Sequence, residues 1–399
     1  MNTKLTALAA AVAASAGLAQ AGSDLSLARS YELNNDASQY ESMLANTNVA
    51  NIKVSAQVQA RYQINVRDDS AGALGDSDTT IGFNMRRTKV AVEGDITDNM
   101  KGKVQFAFNR GSGAAALEDA YADWKINDDL TIRLGQFKAQ HIREENVSSK
   151  RQLTAERSVT NEVFNWDRTQ GVELHFGGDS WRGAVGFNDG INADNTAFNS
   201  SAEDDWGVNA RFEVLFGDAE WSQFKQFTSW RGSTSGSMLG GGIAYSSRGD
   251  TNGTVGTNPE DNLTLTADYS FVADGWNFYV AGIWNSRDNS TGVDTDDYGL
   301  VAQGGFFVND QNELYARWDA IFPDDMNPAG TEDFNTLTFG WNYYFVPESH
   351  AAKFTLDFRW YLDEVAPSLA NVAVSDGSNL LADPDDSQFG LMAQMQFLF

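Results

Sequence analysis

From Lys53 onward the chain alternates. Val54, Ala56, Val58, Ala60, Tyr62, Ile64 and Val66 are apolar or aromatic, while Lys53, Ser55, Gln57, Gln59, Arg61, Gln63, Asn65 and Arg67 between them are polar. A period of two puts successive side chains on opposite faces of an extended strand. Soluble strands usually run about five or six residues. A strand that keeps one apolar face for more than a dozen fits a wall with lipid on one side and water on the other.

The pattern recurs. Val104, Phe106 and Phe108 form one apolar stripe, and Ala120, Ala122, Trp124 and Ile126 another. Further stripes run through Trp206–Phe216, Leu263–Phe271, Leu337–Phe345, Phe354–Leu362 and Phe389–Phe399. Together with weaker segments near 83–94, 130–134, 171–176, 181–188, 239–246, 276–285, 298–308 and 313–322, the count reaches about sixteen strands. Connections alternate in length. Short polar turns at 127–129, 177–180, 273–275 and 309–312 face longer loops near 67–80, 138–170, 188–205, 246–262, 285–297, 322–333 and 363–387. The fold class this predicts is all-β: a membrane-spanning antiparallel β-barrel with short periplasmic turns and long external loops, over residues 52–399. One connection, 217–238, falls on the short-turn side but is long and holds Trp221, Phe224, Phe227 and Trp230; the alternation assigns it no fold beyond packing at the barrel rim. The competing soluble reading is a secreted β-sandwich or lectin, in which the apolar stripes would meet in a dry interior.

The N-terminus reads as a targeting segment. Lys4 precedes an apolar stretch from Leu5 to Leu18, and Ala19-Gln20-Ala21 fits a small-residue cleavage rule. A signal peptide over 1–21 and a short periplasmic arm over 22–51 follow as expectations. No other run approaches the length of about 18 apolar residues that a spanning helix needs.

Charge excludes other classes. The net charge of -27 argues against a nucleic-acid partner, which requires basic faces. The absence of cysteine removes thiolate chemistry and disulfides. Three histidines without His-x-x-x-His spacing, no EF-hand spacing and neither a G-x-S-x-G elbow nor a phosphate-binding glycine loop leave no catalytic, cofactor or metal site to name.

Several stretches resemble the phosphate-selective porin O and P family. They are Asn84-Met-Arg-Arg-Thr-Lys-Val-Ala-Val-Glu-Gly94, Leu117-Glu-Asp-Ala-Tyr-Ala122, Arg133-Leu-Gly-Gln-Phe-Lys138, the run from Arg143 to Arg157, Gln170-Gly-Val-Glu-Leu174, Asn188-Asp-Gly190 and Phe227-Thr-Ser-Trp-Arg-Gly232. Their order and spacing cover most of the chain after residue 21. The resemblance implies a sixteen-stranded barrel, usually a homotrimer, narrowed by loops folded into the lumen. Anion-selective members of that family line the pore with arginines and a lysine cluster; the acidic balance of this chain departs from that pattern.

Parity sorts the charges. It turns Arg61, Arg87, Lys89, Lys101, Lys103, Lys125 and Arg133 toward the lumen on the early strands, against Glu93, Asp119 and Asp123. The later strands mix Arg211, Arg317, Lys353 and Arg359 with Glu213, Asp268, Glu313, Asp319 and Asp357. Much of the acid falls in external loops: Asp68, Asp69, Asp76, Asp78, Asp294, Asp296, Asp297, Asp324, Asp325, Asp383, Asp385 and Asp386. Loop charge is screened within about 8–10 Å, whereas wall charge meets a passing ion at close range. The expectation is therefore passive diffusion of small hydrophilic solutes or inorganic anions across an outer membrane, in contact with its lipid and lipopolysaccharide. A non-selective or cation-preferring pore is the alternative, and a barrel hydrolase or a structural surface protein the readings from other classes. Loop 138–170 is the candidate constriction. Arg143, Lys150, Arg151, Arg157 and Arg168 face Glu144, Glu145, Glu156, Glu162 and Asp167 there, a balance that suggests a paired network fixing the loop.

Overall fold

A computed structural model describes residues 51–67, 79–191, 193–198, 200, 203–248, 260–288, 294–324, 332–367, 369–370 and 377–399. The expected signal segment 1–21, all but the last residue of the expected arm 22–51, and Asp68, Asp69, Asp76, Asp78 and Asp325 lie outside those residues.

Sixteen antiparallel strands form one closed barrel in which each strand pairs with its sequence neighbours and β1 closes on β16. The strands are β1 (Lys53–Val66), β2 (Thr79–Thr97), β3 (Met100–Phe108), β4 (Ala115–Lys125), β5 (Leu130–Lys138), β6 (Arg168–Gly177), β7 (Trp181–Asn188), β8 (Trp206–Gly217), β9 (Gly236–Arg248), β10 (Glu260–Ala273), β11 (Trp276–Asp288), β12 (Asp294–Asn309), β13 (Asn312–Phe322), β14 (Phe334–Tyr344), β15 (Ala352–Tyr361) and β16 (Gln388–Leu398). Closure satisfies the backbone groups at both sheet edges, as the hydrocarbon layer demands. The seam is long: ten residues of β1, from Gln57 to Val66, pair with Leu398 to Phe389.

The apolar stripes face outward. Phe83, Leu134, Phe187, Phe212, Leu239, Trp276, Leu300, Phe306, Phe339 and Phe358 are all exposed, while Gln59, Arg61, Asn65, Thr264, Gln303, Thr338 and Asp357 on the opposite faces are buried. This is the reverse of a sandwich, and it removes the soluble alternative. Strand β12 begins at Asp294, so Asp294, Asp296 and Asp297 belong to a strand end rather than to a loop: the sheet continues outward past the stretch where its side chains alternate in polarity.

The packed interior of the barrel is built where inward connections meet the wall. Ile142, Val159 and Phe164 of the β5–β6 connection cluster with Ile283, Ile321, Phe334 and Tyr361 of the wall. Val147 and Leu153 of the same connection cluster with Phe227, Tyr279, Ala281, Val301 and Tyr315.

Candidate functional site

The β5–β6 connection enters the lumen. It carries two short helices, α1 (Arg143–Asn146) and α2 (Val159–Phe164). Ser158 caps α2 by accepting the Asn161 backbone N–H at 2.9 Å. Glu144 in turn accepts the Ser158 backbone N–H at 2.8 Å and its hydroxyl at 2.6 Å, which ties the two helices together.

The far wall holds this loop by its backbone. The Ala155 N–H donates to Asp357 and the Val159 N–H to Asp319, each at 3.0 Å. The Asn342 amide donates to the Leu153 carbonyl at 2.8 Å, and Lys353 donates to that of Gln152 at 2.9 Å. Close approach requires glycine: a Cβ on Gly242 would fall 2.3 Å from the His141 carbonyl oxygen, and one on Gly299 would fall 2.6 Å from Thr160 of α2. Asp319 and Asp357, which parity turns toward the lumen, are thus engaged by loop backbone.

The 218–235 connection supports the loop from the periplasmic side. The Phe227 N–H donates to the Arg151 carbonyl at 3.2 Å, and the Phe227 ring packs on Tyr279 with centroids 4.8 Å apart. Trp230 packs against Phe307, Tyr344 and His350. The segment that the alternation left without a fold is a hatch closing part of the barrel floor.

Glu156 is where loop and near wall meet. Arg61, Arg86 and Arg87 all bond its carboxylate, Arg87 at 2.7 Å. Its backbone carbonyl accepts from Arg317 at 3.0 Å and Arg359 at 3.3 Å. Burial opposes ionisation of this carboxyl, but the guanidinium groups of Arg86, Arg87 and Arg61 hold it well below the usual carboxylate range.

Between the loop and strands β1–β6 lies a cavity of about 1000 Å³. Thirteen Lys or Arg side chains line it against six Asp or Glu, among the described residues. Of the residues picked out by parity, Arg87, Lys89, Lys103 and Arg133 line it, as do Lys150, Arg151, Arg157 and Arg168 of the loop region. Arg61 sits behind it, 1% exposed and clamped to Glu156. Arg143 lines a second, smaller cavity instead. Lys101 and Lys125 depart from the expected position. They stand exposed at the periplasmic ends of β3 and β4, with Asp95 at 3.6 Å and Asp128 at 2.7 Å, and reach neither cavity. Parity fixes the face of a side chain but not its height along the barrel.

The lining cations of the wall are mostly paired: Lys89 with Glu118 at 2.5 Å, Lys103 with Asp119 at 2.8 Å, Arg168 with Asp119 at 2.8 Å and Arg133 with Asp123 at 2.8 Å. Lys150 and Arg151 have no carboxylate partner within 4.0 Å among the described residues. Burial lowers the Lys150 ammonium pKa, and the charges of Arg151 and Lys103 lower it further.

Two lining residues escaped the parity assignment. Gln59 pairs with Arg87 and Ala60 with Met85, so Arg86 is the extra residue of a bulge. Gln105 pairs with Asp119 and Phe106 with Leu117, which leaves Glu118 in the same situation. Each bulge turns two consecutive charged residues inward. The signal was present: Arg86-Arg87 and Glu118-Asp119 would put charge on both faces of a strand, and the face toward lipid does not tolerate it.

The histidines lie apart. His141 packs on Trp166, His175 faces Glu173 at 2.8 Å, and His350 bonds Gln226 at 3.1 Å.

A family model described as phosphate-selective porin O and P matches residues 56–362. A comparison with curated proteins finds no match. Among solved structures, an anion-selective porin from Comamonas acidovorans aligns with a TM-score of 0.61 at 11% identity, over 88% of this chain and 100% of that one. The trimer form of OmpT from Vibrio cholerae aligns at 0.54 and 15% identity, over 87% and 99%. The outer membrane channel DcaP of Acinetobacter baumannii aligns at 0.55 and 11% identity, over 87% and 97%.

Proposed function

Because the chain belongs to the phosphate-selective porin O and P family and is an outer-membrane channel, we propose that it passes small hydrophilic solutes down their gradients with a preference for anions, phosphate among them. One observation carries this reading: a chain of net charge -27 surrounds its main cavity with thirteen cations and six carboxylates. Selectivity follows the charges that line a passage, because low-dielectric walls focus their field. Loop carboxylates in open water are screened within about 8–10 Å.

In this reading the 139–167 loop is the constriction. It fills the side of the lumen toward β8–β15, engages the acids there, and leaves solute to pass along the basic β1–β6 wall. The lining residues Arg87, Lys89, Lys103, Arg133, Lys150, Arg151, Arg157 and Arg168 form the anion path, joined by Arg86. Arg61 and Arg143 hold the loop in place. Pairing of the wall cations favours a modest preference over strict exclusion of cations. We further propose assembly as a homotrimer, contact of the apolar band with lipid and of the outer rim with lipopolysaccharide, and export by a signal peptide removed after Ala21.

The test is the reversal potential of the purified protein in a planar bilayer under a potassium chloride gradient. A sign showing anion preference supports the reading, and a cation-preferring sign overturns it. Chemical crosslinking tests the trimer, and N-terminal sequencing of the exported protein tests cleavage before Gly22.

A further inference from the structure

The second cavity, of about 350 Å³, lies between the inward loop, strands β6–β8 and the hatch. Arg143, Arg151, Arg182, Arg211 and Lys225 line it, and Glu213 is its one lining carboxylate among the described residues. Not all of that positive charge is free. Glu213 accepts from Arg182 at 2.5 Å and Arg211 at 2.8 Å, and Arg211 also pairs with Asp268 at 2.8 Å. Arg143 differs. It is 4% exposed, and among the described residues its guanidinium donates to neutral acceptors: the Ser270 hydroxyl at 2.9 Å and the Phe224 carbonyl at 2.8 Å. No carboxylate lies within 4.0 Å of Arg143, Arg151 or Lys225 among the described residues.

Buried charge is ordinarily paired, because desolvating a lone ion costs several kcal/mol. Of the three cations here without a carboxylate within 4.0 Å among the described residues, Arg143 is buried, Arg151 half-buried and Lys225 exposed at the cavity's edge, and together they give the lining an excess of positive charge that an anion from outside the chain would offset. The rest of the lining says what kind. Val147, Gly183, Ala184 and Phe224 give the cavity an apolar side. Its volume lies in the range of about 300–1,000 Å³ typical of small-molecule sites. We propose that this cavity is a binding site for a small organic anion, whose carboxylate or phosphate oxygens are held by Arg143, Arg151 and Lys225 and whose carbon skeleton rests on Val147, Ala184 and Phe224.

The site rests on the channel reading, since the solute arrives through the lumen: Gln140, Asn146, Ser148 and Arg151 line both cavities. Isothermal titration calorimetry of the folded, full-length protein in detergent tests it, with citrate as the carboxylate probe and glucose 6-phosphate as the phosphate probe. Saturable binding of at least one probe is expected, weakened roughly tenfold by Lys225→Ala, the loss of one charge-assisted contact. Arg143→Gln is expected to weaken it further, and Lys225, in the periplasmic hatch, keeps the test valid if Arg143→Gln does not fold. The probe that binds identifies the preferred acidic group. No saturable heat from either probe, or equal affinity in wild type and Lys225→Ala, overturns the site. The bilayer reversal potential is read on the same preparation. A cation-preferring sign overturns the anion-preferring function, and the calorimetry still decides the site by itself.

Discussion

Arg86 bonds Glu156 from a position that strict alternation would have turned toward lipid. The bulge opposite Gln59 and Ala60 brings it inward beside Arg87, so that two consecutive arginines and Arg61 share one loop carboxylate. Removing that carboxylate leaves two buried guanidinium groups, of Arg61 and Arg87, and the half-buried one of Arg86 around one point. Breaking such a buried cluster by deleting one partner costs about 3–5 kcal/mol. Glu156→Gln is therefore expected to lower the temperature at which the barrel loses its folded mobility on a gel. In bilayers the same variant should show a noisier open current and a stronger anion preference, since the lining residues Arg86 and Arg87 lose the carboxylate behind them that neutralises them. An unchanged melting point together with a quiet current would show that the latch holds nothing.

The height of a cation along the barrel should decide its effect on selectivity. Lys150→Glu and Arg151→Glu change charges in the main cavity that have no carboxylate partner among the described residues and should move the reversal potential toward cations. Lys101→Glu and Lys125→Glu change exposed residues at the periplasmic ends of the strands, where salt screens them within about 8–10 Å, and should move it little. Equal shifts from all four would mean that the diffuse rim charge, and not the cavity lining, sets the preference.

The wall was legible in the sequence and the lumen only in part. Repetition made the wall legible: each strand must present an apolar face to lipid, so Val54 to Val66 and Phe354 to Leu362 repeat one physical demand, and sixteen repetitions give the barrel. The lumen obeys no such repeat. That loop 139–167 turns inward depends on contacts far apart in the chain, such as Asp357 with the Ala155 backbone and Gly299 beneath Thr160. The hatch was visible only as an anomaly, a long aromatic segment where a short turn belonged. Its partners Tyr279 and Tyr344 could not be paired with Phe227 and Trp230 before the strands were in register. Arg86 and Glu118 could have been found, because adjacent charges within a lipid-facing pattern already demand a bulge.

Acid should act through the buried histidines before it acts through Glu156. Burial, reinforced by the charge of Arg211, brings the His141 imidazole down to about 4. Burial with Lys353 and Arg151 holds His350 well below its ordinary value. Both groups are neutral in the folded chain and bind a proton in the unfolded chain below about pH 6.5. The unfolded state then holds more protons, so stability falls as pH drops from about 6.5 toward 4. Glu156 has the opposite character. Its contribution is present above the ordinary carboxylate range and is lost only as pH falls toward its depressed value. Thermal midpoints measured between about pH 4 and 8 should decline on the acid side of 6.5, and His141→Phe should flatten that decline. A flat profile in the wild type would exclude the histidines as the acid-sensitive groups.

The inward loop can be displaced without touching a charge. Gly299 on β12 lies directly beneath α2, where an added Cβ would sit 2.6 Å from Thr160 and 2.7 Å from the Phe164 ring. Contacts that short cannot persist, and Thr160 is also fixed by donating to the Ala320 carbonyl at 3.1 Å. Gly299→Val should therefore push α2 off the wall at a cost of about 1–3 kcal/mol, the usual penalty of overpacking. The barrel seam is far from this contact and should stay intact. Because Glu162, Val163 and Phe164 of α2 line the main cavity, a displaced α2 narrows it, and single-channel conductance should fall while the sign of the reversal potential is kept. Measuring conductance and reversal potential on the same channels distinguishes this from general damage. A variant that conducts as the wild type does would mean that the loop's seat on β12 does not set the width of the passage.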